Sequence, residues 1–439
     1  MNTPIFDFVR HYAAMDPLRL HMPGHKGQPL LGPEPLDLTE IPGADSLYEA
    51  ESIIAESEAN ASRLFGCHTL YSTEGSSQCI RAMVYLALIQ GKQHGRRPLI
   101  AAGRNAHKTF LSAAALLDAE VCWLYGKEQT SYLSCKPDLA ELEQVLQREK
   151  LAAVYVTSPD YLGQMCDIAS LSALCHRYDT LLLVDNAHGA YLRFLPESRH
   201  PMDLGADLCC SSAHKTLPVL TGGAYLHLAD GLAEQGKHGL ALFGSTSPSY
   251  LILQSLDLAN RYLTGYANEL AEFLPKLSRW KAALQDCGYV LLGEEPLKLT
   301  ISAGDYGYDG GEYALLLQQE GVVCEFADRD YVVMMLTPAL KDADLGRILA
   351  VMQAIPRKPA LRQLPPVIPA AERVMSIRQA MLSPWETVPV EQSVGRVLAA
   401  ATVGCPPAVP LVVSGERIGE TVLERFRYYG IRSCAVVKE

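Results

Sequence analysis

Short apolar runs alternate with stretches of helical periodicity along the first 230 residues of the chain. The runs fall at 99–102, 121–125, 151–156, 181–184, 208–210 and 224–228. They are continuous rather than alternating apolar and polar, the pattern of strands covered on both faces in a mainly parallel sheet. A helical pattern over 51–65 passes through Ile54 and Leu64 and stops at Gly66. Another begins near Gly75, with Ile80, Val84 and Leu88 on one face. Further helices are predicted at 110–117, 139–147 and 168–178. The alternation predicts an α/β fold with helices over both faces of the sheet.

The remainder reads differently. Residues 1–50 are rich in proline and glycine and predict an arm rather than a domain, ahead of a large domain over 51–250. A long helix at 251–284 leads into a smaller α/β unit, which begins at 298–302 and continues through 322–326 and 331–336, so that 251–355 forms the second block. Five prolines within 356–369 mark a linker. Residues 371–439 predict a compact C-terminal subdomain with Pro406-Pro407 and a last strand at 435–437. No internal repeat or low-complexity tract is visible.

Composition narrows the class. A chain of 439 residues, 49% of them hydrophobic, can bury a large core. The net charge of −11, with basic residues scattered, argues against a nucleic-acid surface. No run approaches the ~20 apolar residues of a membrane span. Asp7 and Arg10 interrupt any signal-peptide pattern. The twelve cysteines are dispersed, with no C-x-x-C pair, which predicts reduced thiols in a cytoplasmic enzyme and no metal site.

The candidate chemistry lies where apolar runs end. Residues 181–184 stop at Asp185, followed by Asn186-Ala187-His188-Gly189; the run 206–210 stops at Ser211-Ser212-Ala213-His214-Lys215. A carboxylate and an amine at the ends of buried strands are what pyridoxal 5'-phosphate (PLP) requires. The lysine forms a Schiff base with the aldehyde, and the aspartate keeps a proton on the pyridine nitrogen. Asp185 could instead cap a helix, but burying a carboxylate without a cationic partner is costly. Ala187 is small enough to lie against a ring face; His188 could meet the substrate carboxylate or transfer a proton. Lys215, set behind an apolar strand, reads as a nucleophile rather than a solvated lysine, and His214 as a phosphate contact.

Other positions fit the same cofactor. Gly75-Ser76-Ser77 opens a helix, where free N–H groups, the helix dipole and two hydroxyls attract an anion, although a serine N-cap would look alike. His107 follows a strand of the sheet, where α/β folds bind ligands, and could stack on the ring; an ordinary loop histidine is the alternative. Ser158 precedes Pro159 at another strand end and could touch the ring, or the pair could simply form a turn. Thr246, in the polar turn 243–250, could reach a phosphate, even that of a neighbouring subunit.

Together these residues resemble the Orn/Lys/Arg decarboxylases, fold type I PLP enzymes. The likeness runs from Thr3-Pro4-Ile5 and His21-Met22-Pro23-Gly24-His25-Lys26-Gly27 through Asp45-Ser46-Leu47-Tyr48 and the motifs above to Val394-Gly395-Arg396-Val397. The His21–Gly27 stretch is more specific than a PLP lysine alone. The resemblance implies an aspartate-aminotransferase-like large domain with a mainly parallel seven-stranded sheet and a smaller C-terminal α/β domain. It also implies Lys215 as Schiff-base lysine, Asp185 as pyridine partner, His107 as stacking residue, and a homodimer or larger homo-oligomer with active sites at its interface. The expected reaction is decarboxylation of arginine, lysine or ornithine in polyamine-type metabolism, with arginine favoured, by a short form without an N-terminal wing domain. Three departures stand beside the cofactor motifs: Glu74 for asparagine, Asn186 for glutamate, and Gly222-Gly223 where glutamine is common. They leave open an aminotransferase, a carbon–carbon lyase or a degenerate PLP-binding homologue. Asp45, Glu49, Asp160 and Glu416 are the candidates for the substrate's distal cation.

Overall fold

The computed structural model describes residues 1–126, 131–361, 365–366, 370–400 and 407–438. Parts of the proline-rich linker (362–364 and 367–369) and Pro406 lie outside the described residues. Seven strands build the large sheet: β1 (His68–Ser72), β2 (Leu99–Gly103), β3 (Glu120–Leu124), β4 (Ala153–Thr157), β5 (Leu181–Asp185), β6 (Leu208–Ser211) and β7 (Ala224–Leu228). Their order is β1-β7-β6-β5-β4-β2-β3, with β7 antiparallel to both its neighbours. The helices through this part are α1 (Pro4–Ala14), α2 (Ile53–Phe65), α3 (Gly75–Gln93), α4 (Lys108–Leu117), α5 (Leu139–Arg148), α6 (Ile168–Arg177), the four-residue α7 (Ala213–Thr216), α8 (Ala233–Ala241) and α9 (Tyr250–Asp286).

Beyond α9 a second sheet comprises β8 (Leu291–Leu292), β9 (Lys298–Ser302), β10 (Phe326–Ala327) and β11 (Tyr331–Met335), in the order β10-β11-β9-β8. It is accompanied by α10 (Ala303–Tyr306), α11 (Gly310–Gln319) and α12 (Asp342–Ala354). The tail holds α13 (Ile377–Leu382), a two-stranded sheet of β12 (Trp385–Pro389) and β13 (Ser433–Val437), and α14 (Glu420–Tyr428). Among the described residues no helix is long and apolar enough to cross a membrane.

The apolar runs became strands because burial on both faces rewards them: β2 and β7 are buried at every position, and β5 at every position after its first. Gly66 takes the left-handed conformation (φ 72°) that ends α2, as its place after the periodic stretch predicts. The structure adds detail in three places. Residues 1–50 are not only an arm, since Pro4 starts an eleven-residue helix that buries Ile5 and Val9. The strand β1 was not apparent as an apolar run because its residues, His-Thr-Leu-Tyr-Ser, mix polar and apolar types. The strand expected at 322–326 shrinks to Phe326–Ala327, where pairing with Val332 and Val333 begins; Val323 is 79% exposed.

The chain forms two compact units, each built from two segments. One comprises Met1–Gly95 and Ile168–Leu270, the other Arg96–Asp167 and Ala271–Glu439. In the first, α1 is fastened to α9 by Asp257, which accepts the Phe6 N–H at 2.9 Å and the Ser57 hydroxyl at 2.6 Å. Tyr71 and Asn260 complete this fully buried network. Burial pushes the Asp257 carboxyl up to about 6, against the lowering effect of the Phe6 and Ser57 bonds. A carboxyl whose folded value exceeds its unfolded one stabilises most below the unfolded value and loses that contribution as pH rises through the folded value. Relative to an Asp257→Asn variant, the protein should therefore lose stability between about pH 4 and pH 6 and stay level above. Denaturant titrations of both proteins across that range check this; a difference independent of pH would contradict it.

Candidate active site

The ends of β5 and β6 lie side by side within the first unit. Asp185 pairs in register with Cys210, and the Asn186 N–H donates to the Cys210 carbonyl at 3.0 Å. Asp185 is only 2% exposed, and its Oδ1 accepts the Ala187 N–H at 3.2 Å and the Cys210 thiol at 3.5 Å. Those contacts hold a hydrogen-bond acceptor at the end of an otherwise apolar strand. Past β6 the chain turns through Ser212 into α7, which carries Lys215, and the Lys215 Nζ stands 3.2 Å from His188 Nε2. That spacing lets one proton pass between the two nitrogens. Ala187 is buried beside Asp185.

The start of α3 is shaped as an anion cradle. Gly75 has φ 70°, and a Cβ built on it meets no atom within 4 Å, so the backbone there faces open space. The Ser212 hydroxyl donates to the Ser76 hydroxyl at 2.9 Å, which brings the β6 end to the helix N-terminus. Ser76 and Ser77 are half-buried in the first turn of this nineteen-residue helix. His214 is tied down by two bonds to the Gly223 carbonyl, from its N–H at 3.2 Å and at Nδ1 at 3.0 Å. Helix N–H groups, hydroxyls and open space fit a phosphate; the buried carboxylate and the lysine fit a pyridine nitrogen and an aldehyde.

Two groups that shape the cradle were not read from the sequence. The Gln78 side chain, fully buried on α3, accepts from the Ser72 hydroxyl at 2.6 Å and donates to the Tyr48 hydroxyl and the Leu240 carbonyl, both at 2.8 Å. Ser72 in turn accepts the Glu74 N–H. The sequence carries no signal for them, since Gln78 lies off the face marked by Ile80, Val84 and Leu88.

The departures from the family pattern find local explanations. The Glu74 carboxylate is exposed and accepts the Ser245 N–H, tying the turn that carries Thr246 to the start of α3. The Thr246 side chain is exposed. Asn186 is fully buried and donates to the Ser211 hydroxyl at 3.0 Å; Ser211 also meets His227, which burial keeps neutral. A glutamate here would place a second charge in that interior. Gly222 has φ 100° and its carbonyl accepts the Gly75 N–H at 2.7 Å; a Cβ on it would lie 2.9 Å from the Thr73 carbonyl, and one on Gly223 2.3 Å from Val219 Cγ1. The turn requires both glycines.

His107, Ser158, Asp160 and Glu416 belong to the second unit, Asp45 and Glu49 to the first. His107 is the N-cap of α4, its Nδ1 accepting the Thr109 N–H at 3.1 Å. In the neutral ring the proton is therefore on Nε2. Ser158 is buried at the end of β4, and its hydroxyl accepts the Cys166 N–H at 3.0 Å. Three of the four carboxylates considered for a distal cation are already engaged. Asp45 accepts the N–H groups of Glu51, Ser52 and Ile54 at the start of α2. Asp160 accepts those of Leu162 and Gln164, and burial pushes it up to about 6. Glu416 pairs with Arg104. Glu49 is exposed and takes a bond from Ser46.

The chain was then compared with known proteins. Residues 3–286 match the model of the Orn/Lys/Arg decarboxylase major domain, and residues 362–432 that of the family's C-terminal domain. This chain belongs to the Orn/Lys/Arg decarboxylase family. It is thus a decarboxylase of the basic amino-acid class. It is 28% identical to an arginine decarboxylase of Bacillus subtilis, over 95% of this chain and 92% of that one. It is 24% identical to the lysine decarboxylase LdcA of Pseudomonas aeruginosa, over 60% of this chain and 40% of that one. The fold superposes on the lysine decarboxylase LdcF of Francisella novicida with a TM-score of 0.83 at 16% identity, covering 99% and 81% of the two chains. An archaeal O-phosphoseryl-tRNA(Sec) selenium transferase gives 0.58 at 14% identity over 80% of this chain and 89% of the other. The decarboxylase thus has the fold of type I PLP enzymes, with the expected seven-stranded sheet and smaller C-terminal part.

The cradle account is open to a stability test. Gly222→Ala places a Cβ on a left-handed backbone, at about 1–2 kcal/mol, and against the Thr73 carbonyl. A loss of roughly 1–3 kcal/mol is expected in denaturant titration. Unchanged stability would contradict this reading of the turn.

Proposed function

We propose that this decarboxylase acts on arginine, with PLP attached to Lys215. The observation that carries the reading is the conjunction, within one unit, of buried Asp185 on β5, Lys215 beside His188, and the Ser76–Ser212 hydroxyl pair over the start of α3. Four relatives named arginine decarboxylase match over nearly their whole length, whereas the lysine decarboxylase relative matches over 40% of its own. This favours arginine over lysine or ornithine.

When bound, PLP supplies the electron sink that takes up the pair released as carbon dioxide leaves. The chain's own residues do the rest. Asp185 would hold a proton at the pyridine nitrogen, its Oδ1 fixed in place by the Ala187 N–H and the Cys210 thiol. Gly75, Ser76, Ser77 and Ser212 bind the phosphate, joined by His214. Ala187 would lie against the ring, and the family resemblance implies His107 as the stacking residue, with Ser158 as a further ring contact. Lys215 and His188 exchange a proton at their facing nitrogens, and either can return one to the substrate's Cα. Thr246 reaches the phosphate of a second subunit in a homodimer or larger homo-oligomer. The enzyme works in the cytoplasm on a small-molecule substrate, without nucleic acid or membrane. Residues 1–50, 51–250, 251–355 and 371–439 serve as arm, cofactor domain, small domain and C-terminal subdomain.

Incubation with arginine, lysine and ornithine, with assay of carbon dioxide, amine and keto acid, tests the reaction. Agmatine and carbon dioxide from arginine are expected; keto acid without carbon dioxide would make the enzyme an aminotransferase. Borohydride reduction in the presence of PLP should label Lys215 on peptide mapping. Asp185→Ala should lower kcat by several orders of magnitude, out of the ~8–23 kcal/mol that enzymes remove from such barriers. Near-native turnover in that variant would remove Asp185 from its role.

A further inference from the structure

We infer that Glu416, in the C-terminal part of the chain, is a positioning residue for His107 and acts through Arg104. The inference rests on the reading of His107 as the residue that stacks on the cofactor ring.

The link is built entirely within the second unit. Arg104 leaves the end of β2 three residues before His107 and is 4% exposed. A guanidinium so buried must have its donors and its charge met. Its Nη1 donates to the Pro410 carbonyl at 3.1 Å, and its Nη2 to the Leu411 carbonyl and Glu416 Oε2, each at 3.3 Å. Glu416, also 4% exposed, accepts the Val413 N–H at 2.7 Å through the same oxygen, which fixes the carboxylate on its own loop. The Lys108 N–H, next to His107, donates to the Ala408 carbonyl at 2.8 Å. At the far end of α4, Arg378 on α13 donates to the carbonyls of Ala115 and Leu116. The tail therefore grips α4 at both ends, and the His107 ring is oriented by the first turn of that helix through Thr109.

Glu416 matters most in this grip because of charge. A second guanidinium, Arg425, is 1% exposed and donates to the same Leu411 carbonyl at 3.2 Å. Burial, and next the Arg104 charge, pull Arg425 down to about 10; the Glu416 charge acts in the opposite direction. Without the carboxylate, two buried cations would be held by backbone carbonyls, and their repulsion would be relieved by moving Arg104, and with it the turn to His107. Carbonyl bonds alone can be re-formed with water; the charge balance cannot.

The test uses the full-length protein. PLP affinity and the visible circular dichroism of the bound cofactor are measured for wild type, Glu416→Ala, Glu416→Gln, His107→Ala and the double variant His107→Ala/Glu416→Ala. Glu416→Ala should weaken PLP binding 10- to 100-fold and diminish the dichroic band, with partial recovery in Glu416→Gln, which keeps the hydrogen-bond acceptor. In the double variant PLP should bind no more weakly than in His107→Ala, because the two residues act as one unit. Fully additive losses, or unchanged affinity and spectrum in Glu416→Ala, would overturn the inference. Hydrogen exchange on the apoproteins gives a reading independent of the cofactor: the Lys108 amide, bonded to the Ala408 carbonyl, should lose protection in Glu416→Ala and retain it in His107→Ala. Unchanged protection in Glu416→Ala would also overturn the proposal. Failure of the wild type to bind PLP would instead remove the cofactor reading, while the exchange result would still decide whether Glu416 holds the helix.

Discussion

A single carboxylate placed where water does not reach governs this molecule. Asp185 ends a strand whose preceding residues are all apolar, and burying an anion there costs several kcal/mol unless its surroundings are polarised toward it. The structure meets part of that cost with the Ala187 N–H and the Cys210 thiol. Because β5 and β6 are parallel and in register, the same geometry that holds Asp185 also sends the chain past Cys210 into Ser212 and Lys215. Strand pairing thus sets the acid and the amine at the ends of adjacent strands.

The cradle beside them depends on backbone conformation rather than on charge. Two left-handed glycines, Gly75 and Gly222, bond to each other across the turn, and the Gln78–Ser72–Tyr48 bonds lock the approach from below. A Cβ on Gly244 would collide with Tyr48 and Gln78, so the turn that bears Thr246 packs directly on this network. The cradle's neighbours are consequently small by necessity, and the unusual glycine pair at 222–223 follows from close approach rather than from a change of chemistry.

In the second unit the logic is reversed, and charge holds the architecture. Arg104, Arg425 and Glu416 are all buried, and the tail wraps around them through the carbonyls of Pro410 and Leu411. Three of the carboxylates that looked available for a substrate cation are engaged, Asp45 in the first unit and Asp160 and Glu416 in this one. Asp45 and Asp160 organise backbone N–H groups, and Glu416 balances an arginine. In sequence these carboxylates were indistinguishable from ligands, because composition does not reveal which charge is already matched.

The sequence by itself determined the strand–helix alternation, the places where apolar runs break off into Asp185 and Lys215, and the Gly75-Ser76-Ser77 helix start. Each of these is local: a run of apolar residues is committed to burial wherever the chain goes, and glycine and serine set a helix terminus within a few residues. Tertiary structure alone decided the rest. It made β1 a strand by pairing mixed residues with β7 and turned Gln78 inward. It also matched Arg104 with Glu416, more than three hundred residues away in the chain. Those outcomes depend on which backbone groups and charges arrive at the same buried spot, and a pattern read over ten or twenty residues carries no information about that encounter.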